Sequence, residues 1–258
     1  MHLLFLGTGT SQGVPMIGCD CAVCASSDPK NKRFRSSLLI QNDRQVVIDT
    51  GPDFRMQALA HRLQQVDATV YTHCHTDHIM GFDDLRRFCE ITGTSLPVYG
   101  SQFTIDALQR IFPYAFDSNL KVSTYVRAQP HIVAANGEFS IGNTGFIPID
   151  VPHGNTPTFG YIILDRGVRK AAYLPDCAAL TDSMAGALRD IPLLIIDGLR
   201  EQPHPTHLHI EAAIAAGRRV GAKITYLTHL THNVSHQERQ KTLPDGVFLA
   251  YDGLRLEL

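Results

Sequence analysis

Four imidazole or carboxylate side chains lie within six residues of this chain, in the segment His73-Cys-His75-Thr-Asp77-His78. Such side chains are typical ligands of a hydrolytic divalent metal site. The segment closely follows residues 68–71, a run typical of a buried strand. Because residues i and i+2 of a strand point to one side, His73 and His75 can bind one ion. Asp77 and His78 follow a turn and can face a second ion. A chance cluster of polar residues in an exposed loop is the alternative, and the candidate ligands downstream argue against it.

Three further candidate ligands each follow a run typical of a strand. They are His153 after residues 146–151, Asp176 after residues 171–174, and His229 after residues 223–227. Strands that end at one edge would bring these distant residues together. We expect a dinuclear site with a bridging water, because two ions about 3.5–4 Å apart lower the pKa of that water and bind both oxygens of a phosphoryl displacement. One ion is then bound by His73, His75 and His153, the other by Asp77, His78 and His229, and Asp176 bridges them.

The length and composition of the chain limit the class of protein. Its 258 residues, 44% hydrophobic and 19% charged, predict a globular α/β protein, and one domain over residues 1–258 is the simplest interpretation. The net charge of -2 disfavours a broad surface for nucleic acid or an anionic membrane. The sequence has neither an apolar run of about 18 residues nor a signal peptide, so we expect a cytoplasmic protein without a membrane partner.

Short aliphatic runs bounded by Gly, Pro, Asp or His predict ten strands. They cover residues 3–6, 37–40, 46–49, 68–71, 146–151, 159–164, 171–174, 193–197, 223–227 and 247–251. Apolar residues at helical spacing predict helices over residues 53–64 and 209–220, and Gly217 would allow the second helix to pack closely. Residues 81–130 are less regular. Their aromatic cluster at 112–116 predicts core or dimer packing, or a lid beside the active site.

Three cysteines are close together, at Cys19, Cys21 and Cys24. In a cytosolic protein such a cluster is more typical of a metal site than of disulfides. A structural zinc ion needs four tetrahedral ligands, so the fourth must come from elsewhere. We predict His232 for this place, because it lies three residues after His229 and can point away from the catalytic ions. The alternatives are Cys74, Cys89, another histidine, or three thiols without metal.

The pattern His-x-His-x-Asp-His, followed by His153, Asp176 and His229, resembles the metallo-β-lactamase superfamily. The resemblance covers essentially the whole chain and implies a four-layer αββα sandwich with the dinuclear site at one edge. In that superfamily an acidic residue that ends an early strand orients the metal loop. Asp49 occupies this place, so the resemblance implies that it contacts the metal ligands rather than the metal. From the sequence alone, a turn or helix-cap role for Asp49 is the alternative.

Three further features resemble the phosphoribosyl cyclic phosphodiesterases of phosphonate breakdown. They are GTGTSQGVP at residues 7–15, the Cys-x-Cys-x-x-Cys pattern, and YDGL at residues 251–254. In that subfamily three cysteines and a late histidine bind structural Zn²⁺, which His232 matches. The resemblance implies hydrolysis of a small phosphoribosyl or nucleotide-like cyclic phosphodiester. It also implies a homodimer and two catalytic divalent metals, either Mn²⁺ or Zn²⁺.

His207 resembles the active-site histidine of that subfamily, which protonates the leaving alkoxide or holds the phosphate. We expect His207 and Asp77 to take part in catalysis, and His204 and His209 are the competing candidates for the first role. The loop after residues 3–6 is rich in glycine and hydroxyl groups. Its amides and hydroxyls can hold phosphate oxygens, although a plain tight turn explains the composition equally well. The candidate phosphate-binding residues of this loop are Thr8, Thr10 and Ser11.

Two other functions remain as alternatives. One is a different hydrolase of the same fold, either an RNA-processing nuclease, which the net charge disfavours, or a thioester hydrolase. The other is a non-hydrolytic protein that resembles the quinone-cofactor biosynthesis member of the superfamily, which also carries a cysteine zinc cluster. A degraded ligand set would favour this last alternative, whereas all seven candidate ligands are present in this chain.

Overall fold

Two seven-stranded sheets form the centre of the computed structural model, which describes residues 1–117, 119 and 124–258. The first sheet contains β1 (His2–Gly7), β2 (Ser37–Gln41), β3 (Gln45–Ile48), β4 (Ala68–Val70), β5 (Leu96–Gly100), β6 (Ala128–Ile132) and β14 (Arg255–Glu257), in the order β14-β1-β2-β3-β4-β5-β6. The second contains β7 (Phe139–Ile141), β8 (Thr144–Val151), β9 (Thr158–Asp165), β10 (Val168–Leu174), β11 (Leu193–Asp197), β12 (Ile224–Thr228) and β13 (Val247–Leu249), in the order β13-β12-β11-β10-β9-β8-β7.

Strand direction gathers the ends of several strands at one edge. In the first sheet β3, β4, β5 and β6 pair in parallel. In the second sheet β10, β11, β12 and β13 are parallel, and β9 pairs antiparallel with both β8 and β10. The strand β8 therefore runs in the same direction as β10, β11 and β12. The residues that follow these four strands emerge at the same edge. The loop that follows β4 of the other sheet lies at this edge as well.

Helices cover the outer faces of the two sheets. They are α1 (Phe54–Ala60), α2 (Thr76–Ile79), α3 (Arg86–Thr92), α4 (Gln102–Ile111), α5 (Asp182–Ala187), α6 (Ile210–Val220) and α7 (His236–Gln240), with 3₁₀ turns at Pro29–Asn31, Phe82–Leu85 and Pro113–Ala115. Gly217 of α6 lies against β12, because a Cβ at this position would lie 2.4 Å from the hydroxyl of Thr225. The close packing predicted for Gly217 is thus confirmed.

Three hydrophobic clusters account for the layers of the fold. The middle cluster joins the facing sides of the sheets, with Phe5 and Val70 from the first and Phe146 and Ile195 from the second. One outer cluster packs α1, α3 and α4 on the first sheet, and the other packs α5 and α6 on the second. Burial of apolar side chains on both faces of each sheet explains why most strands read as continuous aliphatic runs. The predicted αββα sandwich is confirmed.

The ten predicted strands overlap strands of the structure, with shifted ends. Residues 81–130 are more regular than predicted, since they contain α3, β5, α4 and the beginning of β6. The first predicted helix is too long: α1 ends at Ala60, and Arg62 has a φ of 53° in the left-handed region. In the aromatic cluster, Phe112 is buried and packs 5.1 Å from Phe82 between ring centroids, as core packing predicts. The lid and dimer interpretations of residues 81–130 stay predictions, and residues 118 and 120–123 lie outside the described residues.

Among the described residues, no helix has the length and apolar character needed to cross a membrane.

Candidate metal centre

The loop after β4 carries the first candidate ligands. His73 and His75 lie in this loop, and Asp77 and His78 lie on the single turn of α2. This turn packs directly on the loop after β3, where the Thr50 amide donates to the His78 carbonyl at 2.8 Å. A Cβ on Gly51 would lie 2.0 Å from the carbonyl oxygen of Asp77, so only glycine permits this approach.

One group of ligand atoms converges around His75. Its Nδ1 atom lies 3.0 Å from Nε2 of His73 and 3.2 Å from Nε2 of His153. The Oδ2 atom of Asp176 lies 3.7 Å from Nε2 of His73 and 3.5 Å from Nε2 of His153. Atoms that bind one ion at about 2.0–2.2 Å, with angles of about 90–120° between them, are themselves about 2.8–3.8 Å apart. The four side chains are therefore spaced as ligands of one cation.

A second group of ligand atoms lies on the other side of Asp176. Nε2 of His78 is 3.3 Å from Oδ2 of Asp77 and 3.3 Å from Oδ1 of Asp176. Nε2 of His229 is 3.4 Å from Oδ1 of Asp176 and 3.7 Å from Oδ2 of Asp77. Asp176 thus directs one carboxylate oxygen to each group. The seven residues selected from the sequence come together in two groups that share this carboxylate.

Four of the five histidines use their second ring nitrogen in another hydrogen bond. The pairs are His73 Nδ1 with Thr72 Oγ1 at 3.0 Å, His75 Nε2 with Thr156 Oγ1 at 2.9 Å, His78 Nδ1 with Asp49 Oδ2 at 2.7 Å, and His153 Nδ1 with the Thr206 carbonyl at 2.9 Å. Such bonds select the tautomer and the ring orientation of a metal ligand. The hydrogen bonds therefore hold each ring so that its other nitrogen points toward the remaining atoms of its ligand group.

Asp49 lies behind the metal loop and is fully buried. Its carboxylate accepts hydrogen bonds from His78 Nδ1 and from the amide and hydroxyl of Thr72, at 2.7–2.8 Å. Burial raises the pKa of Asp49, while the contact with His78 opposes this shift. The N-cap residue of α1 is Asp53, so Asp49 is not the cap of that helix. The structure places Asp49 in contact with a candidate ligand, which is the position that the resemblance implies.

Several ligand atoms are buried without a hydrogen-bond partner among the described residues, namely His78 Nε2, Asp176 Oδ1 and His229 Nε2. Buried polar atoms rarely lack a partner, and a bound cation is one way to satisfy them. Although burial disfavours a charged ring, the Asp176, Asp77 and Asp49 carboxylates raise the pKa of His78 well above its usual value. The negative charge of these three carboxylates would also favour a bound cation. Imidazole nitrogens and carboxylate oxygens fit Zn²⁺, Mn²⁺ or iron.

His207 lies beside the second group and is held by a residue that the sequence analysis missed. Its ring stacks on His229, with centroids 4.8 Å apart, and its Nδ1 lies 2.6 Å from Oδ2 of the fully buried Asp197. Burial and the neighbouring His229 lower the pKa of His207 to about 4, whereas the Asp176 and Asp77 carboxylates oppose this shift. The contact with Asp197 uses Nδ1 and leaves Nε2 as the second ring nitrogen. The competing His209 occupies the N-cap position of α6.

The cysteine cluster comes together with the histidine predicted for it. Nδ1 of His232 lies 3.3 Å from Sγ of Cys19 and 3.4 Å from Sγ of Cys21, and Cys24 belongs to the same group. A hydrogen bond from the Cys24 amide and the contact with His232 lower the pKa of Cys21 to about 6. A depressed thiol pKa favours the thiolate form that binds zinc. The alternatives Cys74 and Cys89 are not in this group.

The loop Thr8–Ser11 is divided between the core and the metal site. Thr8 is fully buried; its hydroxyl donates to Asp252 Oδ1 and accepts from the buried Arg33, both at 2.7 Å. The Thr8 hydroxyl is therefore occupied and does not face the site, contrary to the expectation of a phosphate contact. Thr10 is half-buried and Ser11 is exposed.

A cavity of about 300 Å³ opens directly on the ligand groups. Its walls include Ser11, Asp77 and His207 together with Thr156 and Thr206, so both groups of ligands are reached from one side. The ring of His204 lies outside this cavity, and its Nδ1 accepts from the Thr206 amide at 3.3 Å. Of the three histidines considered as proton donors, His207 is the one placed at the metal groups.

Comparison with known proteins identifies the class. Residues 44–230 match the family model described as the beta-lactamase superfamily domain. The chain therefore belongs to the metallo-β-lactamase superfamily, as the ligand pattern predicted. A crystal structure described as a new diphosphatase from the PhnP family is 41% identical, with a TM-score of 0.91 over 100% of this chain and 96% of the other. Within the superfamily, the chain belongs to the PhnP family, so the resemblance to this subfamily is confirmed.

Two other proteins are similar to this chain, one in sequence and one in structure. A protein described as an octanoyltransferase of Porphyromonas gingivalis is 37% identical over 258 residues, which cover 98% of this chain and 51% of that relative. The chain thus spans about half the length of this relative. The structure of Zn²⁺-bound PqqB from Methylobacterium extorquens has a TM-score of 0.85 at 20% identity over both whole chains, which shows the shared fold.

Proposed function

We propose that this protein is a dinuclear metal-dependent phosphodiesterase that hydrolyses small phosphoribosyl or nucleotide-like cyclic phosphodiesters. The observation that carries the proposal is the geometry around Asp176, whose two oxygens face two complete ligand groups with His207 at the edge of the same cavity. The superfamily supports a metal-dependent hydrolase. The likeness to a protein described as a diphosphatase supports chemistry at phosphorus for this chain.

The assignment of ligands follows from the two groups. His73, His75 and His153 are the ligands of one metal; Asp77, His78 and His229 are those of the other; and Asp176 is shared. Two bound divalent metals would lower the pKa of a water molecule and neutralise charge on the phosphate. Manganese or zinc fits these donors. Cys19, Cys21, Cys24 and His232 are the ligands of a structural zinc ion.

His207 is the proton donor of the proposed reaction. When water attacks phosphorus, the bond between phosphorus and the sugar oxygen breaks, and that oxygen needs a proton as it leaves. Nδ1 of His207 is held by Asp197 at 2.6 Å, so Nε2 supplies this proton when the ring is charged. Burial and His229 lower the pKa of the ring, and the negative charge of a bound phosphate would raise it again. Asp197 keeps the ring in one tautomer and orientation and stabilises its charge. Thr156 orients His75, and Ser11 and Thr10 lie where they can contact phosphate oxygens.

The ligand set also bears on the non-hydrolytic alternative. The PqqB structure shares the fold, and a relative in the sequence comparison is described as a coenzyme PQQ synthesis protein rather than as a hydrolase. In this chain both ligand groups are complete and open to one cavity, which favours catalysis. A homodimer, a cytoplasmic location and the absence of a nucleic-acid partner stay predictions from the sequence.

Hydrolysis by the purified, manganese-supplemented protein tests the proposal. The panel contains ribose 1,2-cyclic phosphate esters, 2′,3′-cyclic nucleotides, ADP-ribose as a diphosphate, bis-p-nitrophenyl phosphate, a thioester and a short RNA. We expect the cyclic phosphates to have the highest kcat/KM. If ADP-ribose has the highest kcat/KM, the substrate of this site is a diphosphate and not a cyclic phosphodiester. Cleavage of only the thioester or the RNA, or no cleavage with both metals bound, would contradict the proposal.

A further inference from the structure

A groove of about 870 Å³ lies between α1 and α3, on the outer side of the first sheet. The rings of Phe54 and Phe88 form its base; both are buried, and their centroids lie 6.3 Å apart. Leu59 and Ile91 also line the groove, yet they are 58% and 54% exposed. Contiguous exposed apolar surface of this kind is typical of a binding site. We call this surface the α1/α3 groove.

The α1/α3 groove is separate from the candidate metal centre. Among the described residues, none lines both this groove and the metal cavity. The groove is built from the outer faces of two helices, whereas the metal cavity lies at the edge where the strands end. The proposed hydrolysis therefore gives no reason for its exposed apolar side chains.

Positive charge surrounds the apolar base of the groove. The charged residues of its lining are four arginines and two carboxylates, namely Arg55, Arg62, Arg86, Arg87, Asp84 and Glu90. Four positive and two negative charges give this surface a formal charge of +2, in a chain whose net charge is -2. A surface of this composition favours an occupant with both apolar and acidic groups.

The ion pairs at the groove are weak enough for an occupant to replace them. Arg87 Nη1 lies 2.9 Å from Glu90 Oε2, and Arg86 pairs with Asp83. Both pairs are open to solvent, and exposed ion pairs contribute little to stability. Arg62 forms no ion pair within the part of the chain that the structure describes. Carboxylates of an occupant can therefore contact these guanidinium groups at small cost.

The positions of the arginines indicate the kind of occupant. Arg55 and Arg62 lie at opposite ends of α1, whose seven residues are about 10 Å long. A molecule with one acidic head group reaches only one of them, whereas a helix with carboxylates on successive turns reaches both. A second copy of this chain that paired through the same groove would place these arginines against each other, and such like-charge contacts are unfavourable.

We propose that the α1/α3 groove docks an acidic amphipathic helix of a partner polypeptide. Apolar side chains of that helix, at positions i, i+3 or i+4 and i+7, pack between Leu59 and Ile91 over the two buried rings. Its carboxylates contact the arginines on α1 and α3. This interaction goes beyond the proposed hydrolysis and does not depend on it.

Two labelled helical peptides of about 15 residues test the proposal. Both carry leucines at positions i, i+3 and i+7, and their polar faces carry only glutamate in one peptide and only lysine in the other. Binding to the full chain is measured by fluorescence anisotropy. The glutamate peptide should bind at least about tenfold more tightly than the lysine peptide, and added salt should reduce this preference. Equal affinities, or tighter binding of the lysine peptide, would overturn the proposal.

Exposed substitutions locate the bound peptide. Arg62→Glu should weaken binding of the glutamate peptide by about tenfold, and Leu59→Ser by about fivefold to thirtyfold. The matched controls are Arg218→Glu and Val168→Ser, because both residues are exposed and line no part of the groove. Neither control should change the affinity. If Arg62→Glu and Leu59→Ser bind the peptide as tightly as the controls do, the peptide lies elsewhere and the proposal is wrong.

Two further measurements decide between this partner and other occupants. Analytical ultracentrifugation should give the same oligomeric state for the wild type and for Leu59→Ser. A wild-type dimer that dissociates in Leu59→Ser would instead make the groove an interface between copies. Vesicles of phosphatidylglycerol and phosphatidylcholine should not sediment the protein, and sedimentation that Arg62→Glu abolishes would make the groove a membrane surface. Either result would overturn the proposal. Hydrolysis should be unchanged in both variants, so a failure of the proposed function leaves these tests valid.

Discussion

Nδ1 of His207 lies 2.6 Å from Oδ2 of Asp197, and Asp197 is fully buried at the C-terminal end of β11. The same carboxylate accepts from the Cys177 and Leu199 amides at 3.0 and 3.1 Å, so its position does not depend on His207. A fixed carboxylate that contacts one ring nitrogen sets the direction of the other. This pair supplies the proton donor of the proposed reaction, and neither residue is one of the seven proposed metal ligands.

Replacing His207 by Gln should therefore lower turnover and spare the metals. We expect kcat to fall by about 10²- to 10⁴-fold, the usual contribution of a general acid, with the metal content unchanged. The loss should be smaller for substrates with a good leaving group such as p-nitrophenolate, which needs no proton. Loss of a metal ion in His207→Gln would instead make His207 a ligand. Asp197→Asn should show the same substrate dependence.

Replacing Gly51 by Ala should disturb the second ligand group through the backbone. The new Cβ would lie 2.0 Å from the carbonyl oxygen of Asp77, so α2 must move and carry Asp77 and His78 with it. We expect a stability loss of at least about 2 kcal/mol and weaker binding of one metal. Gly186→Ala is the control, because a Cβ there meets nothing within 4 Å. Equal melting temperatures and metal contents in the two variants would contradict this packing.

Replacing Cys21 by Ser should remove one zinc ion per chain and lower the melting temperature. The binding of zinc to a folded tetrahedral site contributes to folding free energy, and Ser does not replace a thiolate ligand. Cys89→Ala is the control, since Cys89 is buried under the first sheet away from the cluster. Metal analysis by mass spectrometry should find the loss in Cys21→Ser alone. An unchanged zinc content in Cys21→Ser would show that the cluster binds no metal.

Asp252 should make stability depend on pH. Burial raises its pKa to about 7, against the opposing bonds from Thr8 and the Phe34 amide. The unfolded carboxyl titrates near pH 3.9, so between about pH 4 and pH 7 the folded chain holds a proton that the unfolded chain releases. This group therefore makes stability fall as pH rises through that window. In Asp252→Asn the contribution is absent, so the melting temperature of the variant relative to wild type should rise from pH 5 to pH 8. A constant difference would contradict the raised pKa.

Much of the fold and of the candidate site could be predicted because the ligands follow strands. A buried strand reads as an aliphatic run, and the ligand comes directly after it, as with His153 after β8 and Asp176 after β10. The missed strands have weak signals: Pro97 in β5 and Pro130 in β6 argue against a strand, and β7 and β14 are each three residues long.

The positions of the site residues that the sequence did not predict are set by the paths of loops. Asp197 also ends a predicted strand, so the signal for it was present, yet its partner His207 is ten residues away and reaches it only through the loop before α6. The burial of Thr8 could not be predicted either. It depends on Arg33 and Asp252, which are far apart in the chain and meet only in the folded protein.

The shared carboxylate is the central claim, and Asp176→Ala tests it most directly. Metal content and hydrolysis of ribose 1,2-cyclic phosphate should be measured in the wild type and in this variant, with the structural zinc as an internal reference. We expect the wild type to bind two catalytic metals besides the zinc. Asp176→Ala should retain the zinc but lose catalytic metal and essentially all turnover. Full activity and metal content in Asp176→Ala would contradict it.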